Sequence, residues 1–190
     1  RQDMVRQLIT RILNRLERAN ELDGVSDQLQ KIVSSAVRPQ PVKDTLHGTW
    51  LGHPLHPVLV QVPVGAFMSA AVLDAVPGAR RAATTLIGVG VASSVPAIAA
   101  GLTDWSEMTK DRRRVGLVHA ASNTVALSLY IASLSARASG RTARGKVLAY
   151  AGLSVAGMGA YLGGHLSYAQ GGGMNHAAPD VVRVPEEWTT

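Results

Sequence analysis

Cysteine is missing from all 190 residues. That excludes disulfides, thiolate zinc sites and cysteine-ligated iron–sulfur clusters within the chain. Aromatic residues are few, with one Phe, four Tyr and three Trp. Nucleic acid is therefore an unexpected partner despite a formal net charge of +6, because strand binding calls for basic residues interleaved with stacking rings. The basic residues fall instead in short clusters at the ends of apolar runs, which is the pattern of membrane-topology signals. The first fifty residues contain no continuous apolar stretch, so no secretory signal peptide is expected.

What the chain does contain is four long runs poor in charge, at about residues 55–76, 82–103, 115–136 and 146–168. Each approximates the roughly 20 residues that cross a hydrocarbon core. A soluble core could hide one such run, but not four. The fold class expected is all-α, an integral membrane four-helix bundle with amphipathic helices at its N-terminus. The domains expected are an N-terminal helical region and linker (1–47), the transmembrane domain (48–168) and a flexible tail (169–190). Pro54 and Pro57 suit the first turn of the first span, whereas Pro63 lies deeper and predicts a kink. Pro96 interrupts the second span, and Trp105 at its end suits an interfacial anchor. The spans are rich in Ala, Gly and Ser. Small-residue steps such as Gly159/Gly163 and Ala156/Ala160 imply close helix contacts and leave room for a flat cofactor. A homo-oligomer is the expected state.

In the N-terminal region, Val5, Leu8, Ile9, Ile12, Leu13 and Leu16 recur at helical spacing among basic residues, and the helix is expected to end at Asp23-Gly24. Val25, Leu29, Ile32, Val33 and Ala36 mark a second helix, with Asp23 or Ser26 as its cap. These helices are expected to lie in the membrane interface, to pack on a partner, or to cover the end of the bundle as a hairpin. Arg38-Pro39-Gln40-Pro41 reads as a linker. The Lys and Arg bias is nearly balanced. A polar helical N-tail is easier to retain than to translocate, so both termini are expected on the cytoplasmic side.

Four antiparallel spans bring His53, His56, Asp104, His119, Asn123 and His165 to one face. His47 lies just upstream and His176 just downstream, so all six histidines share this side. His119 and Asn123 stand one turn apart and should point inward, since facing lipid costs several kcal/mol. His165 follows Gly163-Gly164, where missing side chains open space. His56, His119, His165 and Asn123 are the candidate cofactor-binding residues, and His53, His56, Asp104, His119 and His165 the candidate metal set. Haem b needs two histidines on different helices at similar depth. A transition-metal site would add Asp104 as an oxygen ligand. A quinone headgroup would use His and Asn as hydrogen-bond partners. A structural network tying helix ends together is the fourth reading, and the spacing selects none of them. No catalytic residue is assigned. At the other face, Asp74 is expected to pair with Arg80 or Arg81. Lys110-Asp111-Arg112-Arg113-Arg114 reads as a solvated loop, and Gly171-Gly172-Gly173 as an exit from the fourth span.

The run Gly52-His53-Pro54-Leu55-His56-Pro57 with Pro63-Val64-Gly65 and Asp74 resembles the opening of a bacterial membrane family catalogued as a domain of unknown function. Gly101-Leu102-Thr103-Asp104-Trp105, His119 with Asn123, and Gly163-Gly164-His165-Leu166-Ser167-Tyr168 are similar to its later motifs. The resemblance covers about residues 48–176. It implies four membrane helices in a bacterial inner membrane, and association with a Rieske-type iron–sulfur domain. The function expected on this basis is a membrane redox or cofactor-binding module working with an iron–sulfur partner. The rival is a non-enzymatic membrane scaffold or anchor.

Overall fold

The computed structural model describes residues 2–169, and no strand occurs among them. The expectations for the tail from Gln170 onward, including His176 and the glycine run, lie outside the described residues. The N-terminal region forms α1 (Gln2–Glu17), a short 3₁₀ turn (Asn20–Leu22), α2 (Asp23–Ala36) and α3 (Gln40–His47). The first span is α4 (Leu55–Leu59) followed by α5 (Gln61–Ala75); the others are α6 (Arg80–Ser106), α7 (Lys110–Ala138) and α8 (Thr142–Gly164), the last running into a π-helical turn (His165–Ala169).

All four spans are long and apolar enough to cross a membrane. Their outward surfaces carry apolar side chains such as Val72, Val95, Ile131, Val147 and Met158. Such a surface suits lipid, because the tails solvate it without penalty. The helix is interrupted at Val60 between α4 and α5, three residues before Pro63. Pro63 offers no N–H to the carbonyl one turn earlier, and its ring crowds that carbonyl. Pro96 is carried inside a continuous α6.

The bundle is two tight hairpins, α5 against α6 and α7 against α8, joined by sparser contacts of α6 with α7 and of α5 with α8. Within each hairpin, glycines receive large side chains from the facing helix. Gly90 lies under the Phe67 ring, and a β-carbon on Gly152 would stand 3.2 Å from Tyr130. Phe67 and Tyr130 then meet across the two hairpins as a stacked pair, with centroids 3.7 Å apart and planes inclined by 6°. With Ala70, Ile87 and Ala149 they form the core.

α1 and α2 lie over the histidine end, as the covering hairpin would: α1 packs on α7, and α2 on α6 and α7. Charge holds them there. Arg114 grips Asp23 through two hydrogen bonds of 2.7 Å and also donates to the Glu17 carbonyl at 2.6 Å. The guanidinium keeps the Asp23 carboxyl below its usual range. Arg113 and Lys110 both pair with Asp27. The run from Lys110 to Arg114 is thus not a solvated loop but the first turns of α7, with Arg113 buried under the cap. Trp105 is likewise no interfacial anchor. It is buried against Gly116, and its indole N–H donates to the Arg113 carbonyl at 2.9 Å. Asp23-Gly24 begins α2 instead of ending α1. The stretch read as a linker contains α3, with Pro39 at its N-cap and Pro41 in its first turn, where a missing N–H is tolerated.

Candidate functional site

Helix polarity carries the candidate residues to the capped end of the bundle. Their surroundings differ. His56 on α4 points its Nδ1 to the carbonyl of Ala97 on α6, 2.8 Å away. His119 on α7 points its Nδ1 to the carbonyl of Gly159 on α8, 2.7 Å away. A carbonyl oxygen only accepts, so Nδ1 carries the proton in both rings. In the neutral imidazole the lone pair then resides on Nε2, the tautomer that a metal-ligating histidine shows when its other nitrogen is anchored to the backbone.

Glycine makes room for both rings. A β-carbon on Gly101 would stand 2.8 Å from His56 Cε1 and Nδ1, and one on Gly163 would stand 2.8 Å from His119 Cε1. The space left by Gly163 is therefore taken by the protein's own imidazole. The two histidines stand near enough to interact electrostatically, although they belong to different hairpins.

Asn123 is drawn to the same place, its amide nitrogen 3.1 Å from His119 Nε2 and 3.4 Å from Nδ1. A donor on the Nε2 lone-pair axis would be far closer to Nε2 than to Nδ1. Near-equal distances put the amide over the ring face, where it donates to the His119 carbonyl at 3.1 Å. Asn123 thus stands off the Nε2 lone-pair axis. Gly159 admits Asn123, since a β-carbon there would stand 2.7 Å from its Oδ1.

The remaining candidates are engaged elsewhere or exposed. Asp104 is buried and accepts a 2.7 Å hydrogen bond from His47 Nδ1. His47 Nε2 lies 3.3 Å from Glu107, which also pairs with Lys43. The hydrogen bond to Asp104 pushes the His47 pKa above its ordinary value, against the cost of burial and with support from Glu107. His165 donates from Nε2 to Glu17 on α1 at 3.2 Å. His53 is exposed on the loop before α4. Among the described residues no three of His, Cys, Asp or Glu converge to hold a metal ion.

At the opposite end Asp74 pairs with Arg137 on α7, not with Arg80 or Arg81. Both partners are buried. Arg137 Nε also donates to Ser133 Oγ at 3.1 Å, and Lys146 donates to the Asp74 carbonyl. Arg80 stays exposed and reaches Thr142. Sequence reasoning missed Arg137 and His47 as partners. The acceptors at Ala97 and Gly159 are backbone groups and leave no side-chain signature.

These features define an all-α integral membrane protein whose two hairpins each present an anchored histidine near one end. The chain belongs to the family described as "Predicted membrane protein (DUF2231)", whose model matches residues 52–176. The match takes in all four spans and leaves α1 to α3 outside. No curated protein and no solved structure matches the chain.

Proposed function

We propose that this protein is a membrane redox module that holds a haem between His56 and His119 and exchanges single electrons with an iron–sulfur partner. The observation that carries the reading is the matched anchoring of the two rings, each with Nδ1 donating to a backbone carbonyl of its own hairpin, which makes Nε2 the unprotonated nitrogen that would ligate. Haem b fits this donor set better than a bare transition metal. A porphyrin fills four positions of its iron and asks the protein for two, whereas a zinc-type ion asks for three or four. In the metal set of His53, His56, Asp104, His119 and His165, Asp104 serves His47 and His165 serves Glu17. An iron held by two imidazoles would supply one-electron chemistry at the aqueous edge of the membrane. The Rieske-type partner is what the motif resemblance implies, and a bacterial inner membrane with cytoplasmic termini belongs to the same reading.

The test is the purified full chain, expressed with haem supplied. A Soret band with low-spin bis-imidazole features, lost in both His56→Ala and His119→Ala, supports the proposal. Colourless, iron-free protein that takes up no added hemin overturns it. That result would favour the second reading, a membrane scaffold or oligomeric anchor. The observation behind it is that Asp74, Asp104 and His165 each join two different helices.

A further inference from the structure

The two hairpins repeat each other at a series of matched positions. His56 and His119 occupy the first helix of each, Phe67 and Tyr130 follow at the same interval, and then Asp74 and Arg137. The members of each pair are 63 residues apart, as Asp74 and Arg137 show. The turns between helices both use a glycine of positive φ, Gly78 and Gly140. The second helices begin at Arg80 and Thr142, 62 residues apart, and the same interval relates Gly90 to Gly152, Ala97 to Gly159 and Gly101 to Gly163. The roles match as well. Gly90 and Gly152 receive the aromatic rings, Ala97 and Gly159 accept from the histidines, and Gly101 and Gly163 cradle them.

Equivalent residues also meet each other. Phe67 stacks on Tyr130, Asp74 pairs with Arg137, and Arg80 donates to Thr142. A residue touches its own equivalent only beside a two-fold axis. Both hairpins start from the histidine end, so this axis runs along the bundle, as in parallel repeats of membrane proteins. His53, Asp104 and His165 have no counterparts, since Gly116, Leu166 and Thr103 stand at the equivalent positions.

One departure from the repeat leaves a polar group without a partner in the core. Tyr130 carries a hydroxyl that Phe67 lacks. It is 1% exposed, and that hydroxyl meets no hydrogen-bond partner among the described residues. Side chains on a helix lean toward its N-terminus, which for α7 is the histidine end. A buried hydroxyl without a partner costs about 1–3 kcal/mol, so a group that satisfies it from the histidine side gains by doing so.

We infer that the haem site lies on the pseudo-two-fold axis, one per chain, with His56 and His119 as equivalent ligands and the Tyr130 hydroxyl as a donor to the bound group. The inference rests on the haem reading above and adds stoichiometry, the exclusion of His53 and His165, and a positioning residue.

The experiment uses the full chain in lipid nanodiscs, titrated with hemin. Saturation at one hemin per chain is expected, with a low-spin spectrum lost equally in His56→Ala and His119→Ala and kept in His53→Ala and His165→Ala. Tyr130→Phe should leave the thermal midpoint of the hemin-free protein unchanged or raised, and weaken hemin binding about tenfold or shift its potential. Two hemins per chain, a ligand role for His165 or His53, or a Tyr130→Phe titration identical to wild type overturns the axis site while leaving haem binding intact. No binding by the wild type overturns the haem reading itself. The repeat has its own hemin-free test in the exchange Asp74→Arg with Arg137→Asp. Recovery of most of the midpoint lost in either single variant supports equivalent hairpins, and an exchange no better than the single variants overturns them.

Discussion

His119 and Gly163 fit one another so closely that the glycine determines where the ring can lie. The ring's Nδ1 donates to the carbonyl of Gly159, and Gly163, one turn further along α8, leaves the space that its Cε1 fills. Position and protonation of the imidazole follow from the neighbouring helix, before any ligand is considered.

Gly163→Ala should therefore displace His119. Overpacking of this kind costs about 1–3 kcal/mol, and the thermal midpoint of the purified chain should fall accordingly. Gly157→Ala is the control. Nothing lies within 4 Å of a β-carbon there, so its midpoint should hold or rise.

The Asp74–Arg137 pair gives a sharper contrast. Removing one partner of a buried pair strands the other charge, at a cost of about 3–5 kcal/mol. Arg137→Leu should thus destabilise the chain severely, while Arg80→Ala and Arg81→Ala should shift the midpoint little. Equal effects from all three variants would contradict the pairing.

Docking of α3 on α6 should depend on pH through His47. Asp104 raises its pKa in the folded protein above the ordinary 6.5. The protonated ring is the form the fold favours, so this contribution is complete below pH 6.5 and fades as pH rises through the higher, folded value. Protection factors for hydrogen exchange across α3, which remove the intrinsic pH dependence of the amides, should fall from mildly acidic to mildly alkaline conditions. His47→Gln should flatten that dependence.

Asp23 acts in the opposite sense. Its pKa is lowered by Arg114 from 3.8, so its contribution is present above that value and is lost as pH falls through the lower one. At neutral pH, Asp23→Ala should expose the loop between α1 and α2 to limited proteolysis, and high salt should do so more weakly in the wild type.

Much of this architecture is legible in the sequence, because a span announces itself by length and apolarity. The four runs and the gathering of histidines at one end both follow from local rules. Partner choice does not. Arg80 and Arg81 are nearer to Asp74 along the chain than Arg137, but they begin α6 at the aqueous edge, whereas Arg137 faces inward from α7. Asp104 looked like a free oxygen donor because its partner, His47, sits on a helix that Pro39 and Pro41 disguise as a linker. The carbonyls that orient His56 and His119 could come from any residue type. Only the backbone geometry reveals them.

The most direct test of the account is the absorption spectrum of the reduced, purified full chain beside its iron content. The account predicts one haem iron per chain and sharp low-spin α and β bands that vanish when either His56 or His119 is replaced by alanine. A folded chain with neither iron nor a Soret band after incubation with hemin would contradict it.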